Sequence, residues 1–227
     1  QNTSRLRDGF QSFMHHWQQM YRILPKYKLV VADMQCFLLE LQRWLEQVEL
    51  GVRAAPSQNR SRLELDIVQE LGPDIVKTVN SFFERFEGVA LHIEPDMLLA
   101  HQAYMKQQLH PLVLCSPFAY RTYHKPLGYA GDYEMVNMIV RNPYEGSSLF
   151  AKIVNLWFLM QPPAEAHRNR IDYLVDRLQE ETLRVSATGS KARVFNLGCG
   201  SAIEVQRFFQ KNALCEHAQF CLLDFNE

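Results

Sequence analysis

The sequence predicts a mainly helical chain that closes on the opening β-α-β unit of an α/β domain, and three observations predict it. Apolar residues recur at helical spacing through roughly the first 185 of 227 residues. The period then becomes strand-like at residues 192–197, Ala-Arg-Val-Phe-Asn-Leu. A Gly-x-Gly turn, a helical stretch and a second apolar run ending on Asp224 follow in that order.

The helical elements follow from spacing and punctuation. Residues 6–50 read as helix, with Phe10, Phe13, Met14 and Trp17 on one stripe and Met34, Phe37, Leu38, Leu41, Trp44, Leu45 and Val48 on the next. Pro25 separates the two, because a proline inside a helix removes a hydrogen bond. Residues 51–61, with Pro56, Ser57 and Asn59, form a turn-rich break. Ser61-x-x-Glu64 matches a capping box for a helix running to about Phe86, with Pro73 as a kink or restart and Gly88 as a stop. Pro95, Pro111 and Pro117 punctuate shorter helices. Asp132 is placed to cap a helix over 133–140. Residues 147–160 are apolar on the face of Phe150, Ile153, Val154, Trp157 and Phe158, and Pro162-Pro163 opens a helix over 164–183. Small residues at 186–191 make a loop. The expected division is a helical N-terminal domain, residues 1–185, and the start of an α/β domain, residues 186–227.

Composition sets limits on function. The chain is 47% hydrophobic with a formal net charge of −1, so it can bury a core but carries no broad basic footprint for nucleic acid. Five scattered cysteines without a C-x-x-C pair argue against a disulfide framework or a zinc site and for a reducing cytoplasm. No apolar run reaches the roughly 20 residues needed to span a bilayer. No metal is expected, since no H-x-x-x-H or H-E-x-x-H pattern occurs. Gln1 in place of an initiator Met reads as a processing boundary.

The closing unit carries the chemistry. A strand that ends in Gly198-Cys199-Gly200 lets the backbone turn sharply and approach a ligand that a Cβ would block. Ser201 is placed to cap the following helix. Asp224 ends the second strand, where an ionised carboxylate can accept from two adjacent ribose hydroxyls. The third glycine of a dinucleotide fingerprint is replaced by Ile203, and the G-K-[ST] of a P-loop is absent. What remains resembles the first motif of class I S-adenosylmethionine-dependent methyltransferases. The resemblance implies a Rossmann-like domain and S-adenosylmethionine as cofactor. It also implies that Asn196, Leu197, Gly198, Cys199, Gly200, Ser201 and Ala202 line the methionine part while Asp224 holds the sugar. Asn196 departs from the family's usual acid and cannot form an ion pair with the cofactor's ammonium.

A second segment combines aromatic, glycine and charged residues: Arg121-Thr122-Tyr123-His124-Lys125-Pro126-Leu127-Gly128-Tyr129-Ala130-Gly131-Asp132-Tyr133. Loops of this composition face ligands or domain junctions; the plainer reading is a turn with a helix cap. It resembles the K-P-x-G-Y-A-G-D element that precedes the core in a group of bacterial class I methyltransferases, some of which are similar to enzymes that methylate hydroxy-fatty-acid carboxyl groups. The resemblance implies that this loop covers the methyl-donor end, with Tyr129, Gly131 and Tyr133 at the site and Arg121 or Lys125 holding a carboxylate. It also makes Arg168, in the segment Ala166-His167-Arg168-Asn169-Arg170, a cofactor-binding residue.

The expected activity is therefore methyl transfer from S-adenosylmethionine to a small or lipid-like acceptor, through a carboxyl or hydroxyl oxygen. His124 or Asp132 would act as base where the acceptor is protonated. Two parallel strands cannot bury both sheet faces, so chain beyond Glu227, or a second copy in a homodimer, is expected to complete the domain. Two alternatives stand: a helical interaction or regulatory module with a non-catalytic α/β remnant, and a nicotinamide-dependent oxidoreductase, against which Ile203 counts.

Overall fold

A computed structural model describes residues 2–129, 131–211 and 213–224. Ala130 of the aromatic-basic loop, Gln1 and residues 225–227 lie outside them. The fold is mostly helical with one two-stranded parallel sheet. It divides into two compact units, Gln1–Pro117 with Gly146–Trp157, and Phe118–Glu145 with Phe158–Glu227. This division differs from the expected boundary at 185/186. Three helices that periodicity assigned to the N-terminal domain count with the strands, because their apolar faces pack there.

The first unit contains α1 (Asn2–Arg22), α2 (Pro25–Ala54), α3 (Ser57–Ala90), a 3₁₀ turn at Pro95–Met97, α4 (Leu98–Val113) and most of α7 (Leu149–Leu159). Tyr27, Val31, Met34, Leu38 and Leu45 form the buried stripe of α2, at alternating steps of three, four and seven that keep them on one helix face. Val68, Val76 and Val79 do the same on α3. Phe83 stacks on Trp157 with ring centroids 4.7 Å apart, and the Trp157 indole donates to Asn80 Oδ1 at 2.8 Å. Buried His101 fixes the start of α2: its Nε2 accepts from the Leu24 amide at 3.0 Å while Nδ1 donates to the Met97 carbonyl at 2.8 Å.

Several sequence expectations are corrected in this unit. The break expected over 51–61 shrinks to Ala55 and Pro56, because α2 runs on to Ala54 and α3 starts at Ser57. Ser61 and Glu64 therefore lie inside α3 rather than in a capping box, and Glu64 pairs instead with Lys152. Pro73 stays within α3 without ending it, its turn held by buried Val68, Gly72 and Val76. Tertiary burial here outweighs the lost backbone hydrogen bond. The apolar residues Leu6, Phe10, Phe13, Trp17 and Tyr21 line one side of α1 and remain 48–72% exposed.

The second unit contains α5 (Pro117–His124), apart from its first residue, then α6 (Tyr133–Val140), the last turn of α7, α8 (Pro162–Ser186), β1 (Ala192–Leu197), α9 (Ile203–Lys211), a 3₁₀ turn at Ala213–His217 and β2 (Ala218–Leu223). β1 and β2 pair in parallel from Ala192↔Ala218 to Leu197↔Leu223. Phe208, fully buried on α9, meets Phe220 of β2 at 5.5 Å. Arg207 ties α9 to Asp172 of α8 at 2.6 Å. On the opposite sheet face Phe195, Leu197, Cys221 and Leu223 are exposed. Ile139, Leu159 and Ala164 form a small separate core joined by Phe118, Met135 and Val140.

Candidate functional site

The site is built at the C-terminal ends of β1 and β2, where open parallel sheets place their ligands. After Leu197 the backbone turns through Gly198 (φ 67°), Gly200 (φ 50°) and Ala202 (φ 47°). The Gly198 amide donates to the Leu223 carbonyl at 2.7 Å, which continues the strand pairing by one residue. The Gly200 amide donates to Asp224 Oδ2 at 2.6 Å. Both strands thus end on one knot: a carboxylate from β2 holding the glycine turn from β1. A Cβ on Gly200 would stand 3.1 Å from the Tyr133 Cβ, so the turn passes close against that residue as well as taking a left-handed φ that favours glycine.

That contact joins the two stretches singled out in the sequence. A cavity of about 380 Å³ is lined by residues of both: Tyr129, Gly131 and Tyr133, with Asn196, Gly198 through Glu204, and Asp224. Arg170, Ile171 and Leu174 of α8 and Val136 of α6 complete the wall. The charged groups on it are two carboxylates, Glu204 and Asp224, and one guanidinium, Arg170. Asn196 Nδ2 donates to Glu204 Oε1 at 2.7 Å. Arg170 Nη2 lies 3.2 Å from His167 Nδ1, and burial, with Arg170 second, lowers the His167 pKa. A neutral imidazole there can accept from the guanidinium.

Most of the expected cofactor residues gather on this wall: Asn196, Gly198, Cys199, Gly200, Ser201, Ala202, Asp224, Tyr129 and Gly131. Leu197 does not. It is exposed and borders a separate open hollow with Gly198, Leu223 and Asp224. Ser201 is not the helix cap. Ala202 takes that position, its carbonyl accepting from the Val205 and Gln206 amides.

Arg168 points elsewhere. Its guanidinium donates to the Leu159 carbonyl at 2.9 Å and reaches the Ile139 carbonyl at 3.5 Å, the closing turns of α7 and α6. Helix C-termini attract cations, so Arg168 is a structural clamp. Residues two apart on a helix point about 200° apart, and it is Arg170 that lines the cavity.

The two expected bases stand off the cavity wall. Asp132 is 2% exposed, caps α6 by accepting from the Met135 amide at 2.8 Å, and takes Arg121 Nε at 2.9 Å on the same oxygen. Burial pushes its pKa up, but the Arg121 hydrogen bond and charge and the Met135 and Glu134 amides outweigh it and hold the carboxyl below its ordinary value. An acid so held is a poor proton acceptor near neutrality. Arg121 is engaged in the same pair. His124 closes α5 with its ring 4.1 Å from Tyr120 and 5.1 Å from Tyr123, exposed beside Lys125.

No protein-family model matches the chain, and neither a curated protein nor a solved structure matches it at a significant level.

Proposed function

We propose that the chain carries the cofactor half of an S-adenosylmethionine-dependent methyltransferase of Rossmann-like design. The observation that supports this best is the convergence of the Gly198–Gly200 turn, Asp224 and the Tyr129–Tyr133 loop on one cavity at the carboxyl ends of two parallel strands. The residues fit the ligand's chemistry. Asp224 offers a carboxylate, with about four acceptor sites, to a vicinal diol. The glycine turn admits close backbone approach, and the tyrosines and Ile171 supply flat apolar walls. With two carboxylates against one guanidinium, the wall favours a ligand of net positive charge.

Bound there, S-adenosylmethionine supplies an electrophilic methyl group on sulfur. The chain's own work is to orient the ligand and exclude water, the two contributions that matter most when the donor is already reactive. A carboxylate acceptor needs no base, which agrees with the structural engagement of Asp132. A small or lipid-like acid is thus the favoured acceptor.

Isothermal titration of the chain with S-adenosylmethionine tests the reading. Saturable binding is expected, and absence of heat at millimolar ligand would sink it. A second reading, a helical module that docks a partner protein, is favoured by the exposed aromatic stripe of α1, where Phe10, Phe13, Trp17 and Tyr21 lie ring to ring. Partner capture that survives Asp224→Ala and fails in Trp17→Ala would favour it.

A further inference from the structure

Asn196, near the end of β1, places an amide beside the glycine turn, and the structure shows what that amide does. Its Nδ2 donates to Oε1 of Glu204 at 2.7 Å, from the end of β1 to the first turn of α9. Both residues line the cavity, and both are half-buried. The pair therefore presents one negative charge to the cavity, with the carboxylate on the helix and the amide as its anchor. Arg170 brings the opposite charge to the same wall. A cavity with one carboxylate at the end of the sugar-holding strand, a second beside the glycine turn, and a guanidinium suits a nucleoside that carries an amino-acid zwitterion.

We propose that Glu204, held by Asn196, binds the α-ammonium of the amino-acid tail of S-adenosylmethionine; the proposal rests on the function inferred above. The plainer account of Glu204 is that an acid in a first helical turn is favoured by the helix dipole. That account explains why an acid is tolerated there. It does not explain why the side chain turns back to the strand to meet Asn196, or why the two share the cavity wall. An ammonium seated at this carboxylate replaces part of its water shell with a charge-assisted hydrogen bond, the strong class of such bonds. Asn196 limits the rotamers of Glu204, so less freedom is lost on binding.

The test compares two ligands and three proteins. S-adenosylmethionine carries the amino-acid tail and methylthioadenosine lacks it, so their affinities separate the tail from the nucleoside. Glu204→Gln removes the charge and keeps an acceptor for Asn196. The double variant Asn196→Asp with Glu204→Gln moves the carboxylate from helix to strand and keeps one acid against one amide. Titration calorimetry should show Glu204→Gln weakening S-adenosylmethionine by about tenfold or more with methylthioadenosine unchanged. The double variant should recover most of the loss, which a variant damaged only in folding would not do. Equal losses for both ligands, an unchanged affinity for S-adenosylmethionine, or no recovery in the double variant would each overturn the assignment while leaving the cofactor reading in place. A wild-type chain that binds neither ligand would overturn that reading, and this assignment with it.

Discussion

The amide of Gly200 donates to the carboxylate of Asp224 at 2.6 Å, across 24 residues of sequence. The sugar-holding acid expected at the end of β2 is thus also the group that fixes the shape of the turn after β1. On the proposed function, binding and loop geometry would depend on one side chain. Asp224→Ala should therefore lower affinity for adenosine-bearing ligands more than tenfold and destabilise the fold by about 1 kcal/mol. Calorimetric titration and a thermal melt on the same sample read both effects. Unchanged affinity would count against the site.

Gly200 carries two constraints at once, a left-handed φ of 50° and a Cβ position 3.1 Å from the Tyr133 Cβ. Gly189 has a φ of 77° but nothing within 4 Å of its Cβ position. Both substitutions to alanine should cost about 1–2 kcal/mol for the backbone conformation. Only Gly200→Ala should cost more and weaken ligand binding, because it pushes the turn away from Tyr133. Paired denaturant melts distinguish the two sites, and equal losses would mean that the Tyr133 contact carries no weight.

Asp132 predicts a pH dependence. Its carboxyl pKa is held below the ordinary 3.8, burial opposing and the Arg121 and amide hydrogen bonds prevailing. A group with a depressed folded pKa stabilises the fold fully above its unfolded value, and that stability is lost as pH falls through the folded value. Asp132→Asn should cost about 3 kcal/mol at neutral pH, the low end for a broken buried pair, since Arg121 keeps 22% of its side chain exposed. The gap between wild type and variant should narrow once pH drops below about 3.8. Urea melts across that range measure it, and a gap independent of pH would remove the ion pair as its cause.

Arg168 and Arg170 should separate by phenotype. Arg168→Ala removes the cation from the closing turns of α6 and α7 and should lower stability by about 1–2 kcal/mol. Arg170→Ala should leave the melting temperature close to wild type and weaken binding of a ligand that bears a carboxylate. A reversed pattern would return Arg168 to the site.

The strand-loop-helix-strand unit was legible because its signals are local: β1 runs from Ala192 to Leu197 as the change of period predicts, and Asp132 caps α6 from its own sequence position. The long helices were legible in type but not in extent. Ser61 and Glu64 fit a cap on paper, yet the helix had already begun at Ser57, directly after Pro56, with residues 57–63 exposed and Val68 its first buried residue. The site was half legible. Glycines and terminal acids announce themselves by spacing, whereas Arg170 and Glu204 became visible only through which way their helices turn. Which of two neighbouring arginines meets a cavity is settled by helix orientation, and no motif encodes it.

The contact between Gly200 and Tyr133 has a consequence for the order in which the site comes into being. A ribosome delivers the tyrosine wall first, then all of α8, and only afterwards the turn that must press against it. Until β2 has emerged, Asp224 cannot grip the turn, and the pocket cannot be completed from neighbours in sequence alone. Such distant pairings close late in folding and are reached through a costly loop search. The pocket is consequently complete only once β2 has formed, and a ligand that bound only the finished pocket would act as a latch on the folded state.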